Sequence, residues 1–196
     1  MRLGRDMLEI REVLYENPLI MAIKDGKDLR ECLKDEYEDN RIVFVLFGTI
    51  ETIPTIVAKL KKKNKIVFVH ENLIEGLSSS HFSPSFIKKY TEADGIITLR
   101  AQNVYEARKL GLCTVFRFFL LDSLSYENVK DSIKNTSSDF LEVLPGIMPK
   151  MVTEIGKRTA IPLVAGGLIR DKSDVIDALN AGAIAVSSSN YEVWKM

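Results

Sequence analysis

The sequence predicts an α/β fold, a compact (β/α)8 barrel of the TIM type, on three observations. Eight short apolar runs rich in Val, Ile and Phe recur along the 196 residues, as buried parallel strands do. Segments with the apolar spacing of helices separate them. The last two runs end in Gly-rich and Ser-rich turns, where such a barrel often holds a phosphate. The count of eight favours this barrel over the alternative, a doubly wound open sheet.

The eight predicted strands are short runs of five to eight residues. Most are bounded by polar residues or by glycine and proline, which punctuate the chain between elements. In chain order they are Pro18–Lys24, Arg41–Gly48, Lys65–His70, Gly95–Leu99, Cys113–Phe119, Asp139–Leu144, Ile161–Ala165 and Ala183–Ser187.

Helices are predicted between the strands from apolar stripes and from start and stop signals. Pro54 and Pro149 stand where a first helical turn would begin, and Gly111 and Gly182 where a helix would end. The polar connection Asp122–Ser138 still contains apolar residues at helical spacing. The stripes are Leu29, Leu33 and Tyr37; Val104, Ala107 and Leu110; Tyr126, Val129 and Ile133; and Val175, Ile176 and Leu179.

A single domain is expected over residues 1–196, because no composition shift or Pro/Ser-rich linker divides the chain. The chain is small for this barrel, which usually has about 250 residues, so short loops and stunted helices are expected. Residues 1–16 are predicted to form a helical N-terminal cap. Met7, Ile10, Val13 and Leu14 have helical spacing there and would close the bottom of the barrel.

The turns after the seventh and eighth strands form a candidate anion site. Gly166 and Gly167 lack a Cβ, so the backbone can approach a ligand closely. Ser187, Ser188 and Ser189 add hydroxyl donors before a final helical segment. Bare N–H groups and a helix dipole both favour a phosphate, so these five residues are the predicted phosphate-binding residues.

Polar side chains stand at the C-terminal ends of several apolar runs, where function gathers in this fold. They are Lys24, Asp25, His70, Glu71, Arg100, Arg117 and Glu142. Arg117 and Glu142 interrupt apolar strands, and a buried charge is costly unless it is paired. Two interpretations stay open: a structural ion pair of Glu142 with Arg117 or Lys24, or a polar ligand held below the phosphate. For His70, a satisfied hydrogen-bonding group is the simpler alternative.

The charge is balanced, with 27 basic and 27 acidic residues, so no global attraction to nucleic acid is expected. Five lysines nevertheless fall within seven residues. One interpretation is a solvated helix C-terminus, where lysines meet the helix dipole. The other is a surface that contacts nucleic-acid phosphates, although no RNP, KH or Arg-rich signature accompanies it. The cluster comprises Lys59, Lys61, Lys62, Lys63 and Lys65.

Several protein classes are disfavoured by what the sequence lacks. No apolar run is long enough to span a membrane, and the N-terminus has no signal-peptide core, so a cytoplasmic protein without a membrane partner is expected. Cys32 and Cys113 suit buried thiols, and no metal-binding pattern is present. The sequence contains no P-loop, nucleophile elbow or paired-carboxylate spacing, so no catalytic constellation is complete.

Five segments carry a family resemblance: Val69–Leu77, Thr98–Arg100, Arg117–Asp122, Asp139–Pro149 and Ile161–Asn190. The combination of Glu-Val-Leu-Pro-Gly with Ala-Gly-Gly and Ala-Gly-Ala-Ile-Ala-Val is specific, whereas either Gly-rich piece alone fits many phosphate-binding barrels. Together the segments resemble the glycerol-3-phosphate-responsive antiterminators, the bacterial glycerol uptake operon antiterminator regulatory proteins. The likeness runs from about the first strand to Trp194, nearly the whole chain.

The resemblance implies a regulator with a (β/α)8-like fold that senses glycerol 3-phosphate and acts on leader mRNA. Such proteins let transcription pass a terminator ahead of glycerol-metabolism genes. By position, Gly166, Gly167, Ser188 and Ser189 would hold the phosphate. The residues that would face the glycerol part or frame its pocket are His70, Arg100, Arg117 and Glu142.

One position departs from the family pattern. An acidic residue is expected in the family's His-x-Asp-Leu-Ile, and this chain has Asn72 there. Asn72 is included in the predicted ligand pocket, since an amide can still accept a hydrogen bond. The resemblance also favours RNA contact as the role of the lysine cluster, because a protein without net charge that binds RNA needs a local basic surface. A homodimer is a further expectation.

Two functions from different classes therefore stand. The first is a ligand-gated regulator that binds glycerol 3-phosphate without converting it, contacts leader RNA and needs no cofactor. The alternative is a small phosphosugar isomerase or lyase in a reduced barrel, with Glu142 as the general base.

Overall fold

The computed structural model describes residues 7–78 and 80–196, and its eight parallel strands close into a barrel. Each strand pairs with its neighbours in chain order, and β8 pairs with β1 to close the sheet. The predicted (β/α)8 barrel is confirmed, with a strand in each of the eight apolar runs. The strands are β1 Leu19–Ile23, β2 Ile42–Val45, β3 Ile66–His70, β4 Gly95–Thr98, β5 Cys113–Phe119, β6 Phe140–Leu144, β7 Leu163–Gly166 and β8 Ala185–Ser188.

Helices precede, separate and follow the strands. Short 3-10 helices cover Asp35–Tyr37 and Glu71–Leu73. The α-helices are α1 Met7–Glu16, α2 Gly26–Cys32, α3 Ile53–Lys62, α4 Ser83–Tyr90, α5 Ala101–Lys109, α6 Ser123–Asn135, α7 Pro149–Gly156, α8 Lys172–Asn180 and α9 Tyr191–Trp194. None of those in the described part of the chain is both long and apolar enough to cross a bilayer.

The predicted helix signals are confirmed where they were placed. Pro54 lies in the first turn of α3, and α7 begins at Pro149. Gly111 and Gly182 follow the ends of α5 and α8 with φ of +69° and +103°, a conformation that glycine adopts without steric cost. The polar connection after β5 forms α6. Asp122 caps the N-terminus of this helix in a capping box with Ser125.

One apolar cluster fills the interior of the barrel with alternate residues of the strands, because strand side chains point inward at every second position. Phe44 and Phe68 meet edge to face there, with ring centroids 5.5 Å apart, a contact worth about 0.5–1.5 kcal/mol beyond burial. From α1, Ile10, Val13 and Leu14 are buried in the same cluster. Residues 1–6 of the predicted cap lie outside the described residues.

The predicted stripe of Leu29, Leu33 and Tyr37 does not lie on one helix. The helix α2 ends at Cys32, and Lys34 is extended with ψ of 150° before the 3-10 helix that contains Tyr37. Tyr37 is nevertheless fully buried, and its ring meets Trp194 edge to face at 5.6 Å. The spacing therefore indicated burial correctly, but a break in the helix carries the third residue into the core.

Candidate functional site

A polar cleft with a volume of about 730 Å³ opens at the C-terminal ends of β7, β8 and β1. These loops meet because β1 follows β8 around the closed barrel. Residues of the strand ends form its floor, and the three loops form its walls. The lining includes Lys24, Asp25, Lys27, Asp28, Arg117, Glu142, Gly167, Leu168, Arg170, Ser187, Ser188, Ser189 and Tyr191.

The β7 wall of the cleft is the turn at Gly167 and Leu168. Both have left-handed φ, +75° and +63°, which glycine adopts freely and leucine rarely. The Gly146 N–H donates to the carbonyls of Gly166 at 2.5 Å and Gly167 at 3.1 Å, which ties the β6 loop to this turn. Among the backbone hydrogen bonds of the described residues, none uses the N–H of Gly167 or Leu168. These two donors are available to a ligand.

The three serines at the end of β8 have different roles. Ser187 Oγ donates to Glu142 at 2.6 Å, and Ser188 Oγ donates to the Ile169 carbonyl at 2.8 Å, so both hydroxyls already hold the scaffold. Ser189 Oγ lies 3.4 Å from Lys24 Nζ at the edge of the cleft. Of the predicted serines, Ser189 is therefore the one whose hydroxyl, beside a lysine, is best placed for an anion.

Gly166 lies beneath the cleft rather than in its lining, which differs from its predicted place among the phosphate ligands. A Cβ on Gly166 would fall 2.5 Å from Glu142 Oε1 and 2.6 Å from Ser187 Oγ, well inside van der Waals contact. The glycine thus leaves the space in which the hydrogen bond between Ser187 and Glu142 forms.

The floor of the cleft is a buried ion pair. Arg117 Nε donates to Glu142 Oε2 at 2.6 Å, and the side chains are 6% and 0% exposed. With Ser187 on Oε1, both carboxylate oxygens of Glu142 accept a hydrogen bond. The adjacent strands β5 and β6 place Arg117 opposite Glu142 in register, which brings the two predicted residues together. Of the two partners considered for Glu142, the structure pairs it with Arg117.

Three predicted pocket residues lie away from this cleft. Asn72 Oδ1 accepts from the Leu99 N–H at 3.3 Å, and Arg100 is the exposed N-cap residue of α5. His70 is buried at the top of β3, where desolvation and then the Arg117 charge lower its pKa to about 3. Its Nδ1 has no hydrogen-bond partner among the described residues. The residues lie at the ends of β3 and β4 or just after them, and these two strands lie across the barrel from β7 and β8. Selecting polar residues at the C-terminal ends of strands therefore included residues from both sides of the mouth.

The loop after β1 and the start of α9 supply further cleft residues, of which the sequence indicated Asp25 but not Lys27, Asp28 or Tyr191. Asp28 accepts from the Lys24 N–H at 3.0 Å and from Tyr191 Oη at 2.6 Å, and the second bond raises the pKa of Tyr191. Asp25 caps α2 through the N–H groups of Lys27 and Asp28, and these bonds, led by Asp28, lower its pKa. An Asp directly after an apolar run is an N-cap signal, and it places Lys27 beside the cleft.

The lysine cluster is not the continuous basic surface considered from the sequence. Lys65 is 2% exposed and donates to the carbonyls of Tyr37, at 2.5 Å, and of Asn40, at 3.0 Å. Burial lowers the pKa of Lys65. Lys61 is largely buried against Asp94, with Nζ and Oδ2 2.5 Å apart. Lys65 is therefore withdrawn as an RNA-contacting residue, because its ammonium group caps backbone carbonyls inside the fold. Lys59, Lys62 and Lys63 remain exposed.

The fold and the cleft define a small (β/α)8 barrel with a polar site at its β7/β8 corner and no group of His, Cys, Asp or Glu placed to bind a metal among the described residues. The family model described as glycerol-3-phosphate responsive antiterminator matches residues 19–194. The chain belongs to this family, which confirms the resemblance seen in the sequence and supports a regulatory role.

Relatives cover nearly the whole chain. An uncharacterized Escherichia coli protein, YgcP, is 37% identical over 189 residues, which are 96% of this chain and 97% of that protein. The crystal structure of the glycerol uptake operon antiterminator regulatory protein from Listeria monocytogenes is 28% identical, with a TM-score of 0.87 over 91% of this chain and 95% of that one. A related Thermotoga maritima protein is 32% identical, with a TM-score of 0.77 over 91% and 98%.

Proposed function

We propose that the chain is a regulator that binds glycerol 3-phosphate with its phosphate at the β7/β8 corner, and that the bound state changes its action on leader RNA. The proposal is carried by one observation: the free N–H groups of Gly167 and Leu168 border a cleft whose wall holds Ser189 and Lys24. Backbone N–H groups beside a cation are the usual environment of a bound phosphate. The description of the family as glycerol-3-phosphate responsive indicates that this phosphate belongs to glycerol 3-phosphate.

The glycerol part of the ligand is assigned to the floor of the cleft. Glu142 engages Nε of Arg117, which is one of five N–H donors on a guanidinium group. The remaining donors can hydrogen-bond a ligand hydroxyl, while Glu142 and Ser187 hold the guanidinium in place. Since the charges are already paired, an uncharged polyol fits this floor better than a second anion would.

The alternative of a phosphosugar enzyme with Glu142 as general base is less compatible with this geometry. A general base needs a carboxylate oxygen within hydrogen-bond reach of the proton it removes. Both oxygens of Glu142 accept hydrogen bonds from protein groups, and the side chain is 0% exposed. The residue is better suited to orienting Arg117 than to taking a proton from a substrate.

The test of ligand binding is calorimetry with glycerol 3-phosphate, glycerol and inorganic phosphate, followed by NMR for turnover. We expect glycerol 3-phosphate to bind tightest, phosphate weakly, and no product to form. The Glu142→Gln variant separates the alternatives, because an enzyme would lose turnover while keeping phosphate affinity. No heat with glycerol 3-phosphate would remove the sensor assignment, and product formation would support the enzyme.

The RNA partner is proposed from the family alone, and the exposed lysines at the end of α3 are its candidate contact. The test replaces Lys59, Lys62 and Lys63 by Ser and measures leader-RNA affinity against salt concentration. Loss of these phosphate contacts should lower the salt slope by roughly one unit per lysine. A matched variant that removes three exposed lysines elsewhere, Lys134, Lys157 and Lys195, controls for net charge. Equal effects in both variants would exclude the α3 lysines.

A further inference from the structure

Large apolar side chains are exposed around the C-terminal mouth of the barrel. Among the described residues, nine of the fifteen exposed large apolar side chains lie there, in the loops that follow β2 to β7 or directly beside them. We refer to these nine as the apolar rim: Ile50, Leu73, Phe82, Leu99, Phe119, Leu121, Leu124, Ile147 and Leu168. Single exposed apolar residues are ordinary, whereas a set concentrated on one face marks an interaction surface.

The apolar rim is large enough to support a stable association. Its side chains are between 40% and 82% exposed. At the usual area of a large apolar side chain, they present roughly 800 Å², close to what one partner contributes to a standard protein interface. They follow six consecutive strands, so they form an arc around the mouth. The β8 and β1 loops, which carry most of the polar residues of the cleft, lie outside this arc.

The charge of the rim loops argues for a protein rather than a nucleic acid. Exposed acids at Glu51, Glu75, Asp122 and Asp171 are interspersed with the exposed Arg100 and Arg170. A surface that binds RNA phosphates needs an excess of cations, and here four acidic groups outnumber two cations. Two copies of the chain would not repel each other through net charge, since each carries 27 basic and 27 acidic residues.

We propose that the apolar rim is the interface of a two-fold symmetric dimer of this chain. In such a dimer the same patch faces itself, so a patch that is apolar and sparsely charged is complementary to its own copy. The most exposed member, Leu121 at 82%, lies in the β5 loop and Leu73 in the β3 loop, on separate parts of the arc. Both side chains would become buried on association.

Sedimentation velocity over a wide range of protein concentration tests the dimer. The wild type should sediment with twice the mass of the chain, and Leu121→Glu should raise the dissociation constant at least tenfold. The double variant Leu73→Glu/Leu121→Glu should be monomeric. Leu8→Glu is the matched control, because this leucine is 66% exposed on α1 at the opposite end of the barrel. It should leave the dimer unchanged, and near-UV circular dichroism should show that every variant is folded.

Two results would overturn the proposal. The first is a wild type that stays monomeric at every concentration; if leader-RNA affinity is then lost in Leu121→Glu, the rim is assigned to RNA. The second is a dimer that survives Leu73→Glu/Leu121→Glu, since its interface would then lie elsewhere. Neither of these results depends on glycerol 3-phosphate, so the dimer and the proposed ligand fail or succeed separately.

Discussion

Removing one partner of the ion pair beneath the cleft should lower the free energy of unfolding far more than removing both partners. Arg117 and Glu142 are 2.6 Å apart and nearly inaccessible to solvent. Glu142→Met leaves an unpaired buried guanidinium, and Arg117→Met leaves a carboxylate held by Ser187 alone. Each single change should reduce the free energy of unfolding by about 3–5 kcal/mol. In Arg117→Met/Glu142→Met no charge is buried, so the cost of desolvating the two charges disappears. The double variant should therefore lose much less free energy of unfolding than the two single variants lose together.

The assay is urea denaturation of the wild type, the two single variants and the double variant, read as a double-mutant cycle. The expected coupling energy is at least about 3 kcal/mol. The control cycle uses Asp131 and Lys134, an ion pair of 3.6 Å whose side chains are 79% and 74% exposed, with an expected coupling below about 0.5 kcal/mol. Single-variant losses that simply add in the buried cycle would refute the reasoning.

Three further predictions concern single side chains. The pKa of His70, lowered to about 3 by burial, lies below its usual value of ~6.5, so the unfolded chain binds a proton that the folded chain does not. The free energy of unfolding should therefore fall as pH decreases from about 6.5 to 3; His70→Asn should reduce this fall, and the same change at the exposed His81 should not. Lys65→Met should cost about 1–3 kcal/mol in urea denaturation by leaving carbonyls of the 35–40 segment without their donor, with leader-RNA affinity unchanged. Trp194 is the only tryptophan and donates from Nε1 to the Ser188 carbonyl at 2.6 Å, so glycerol 3-phosphate should change its fluorescence and glycerol should not.

The barrel could be predicted from the sequence because its determinants are local. A buried parallel strand is a short apolar run, and eight such runs with helical spacing between them leave few other folds. Local sequence pattern was insufficient at Tyr37. Its spacing from Leu29 and Leu33 predicted that it lies on the same helix, but α2 ends at Cys32. Lys65 shows the same limit: it directly precedes β3, and carbonyls of the preceding segment converge on its ammonium group. Neither tertiary contact leaves a mark in residue spacing.

The candidate site was predictable in its position and less so in its members. The pairing of Arg117 with Glu142 follows from register, since neighbouring strands place the two charges side by side. His70 and Arg100 also stand at the C-terminal ends of strands, but their strands lie across the barrel from the cleft. A position at the end of a strand places a residue at the mouth of the barrel and does not indicate on which side of the mouth it lies. Tyr191 was missed because its link to Asp28 joins residues 163 positions apart.

The most direct test of the central claim is to add one methyl group at the β7 turn and measure ligand affinity by calorimetry. Gly167→Ala forces an alanine into a φ of +75° and brings its Cβ to 3.1 Å from Leu144, which should displace the N–H groups proposed to bind phosphate. Gly111→Ala is the control, with a similar φ of +69° and no neighbour within 4 Å.

Both variants should lose about 1 kcal/mol of folding free energy through the strained backbone. Affinity for glycerol 3-phosphate should fall at least tenfold in Gly167→Ala, equivalent to roughly one charge-assisted hydrogen bond, and stay at the wild-type value in Gly111→Ala. Wild-type affinity in Gly167→Ala, or an equal loss in both variants, would contradict the placement of the phosphate at the β7/β8 corner.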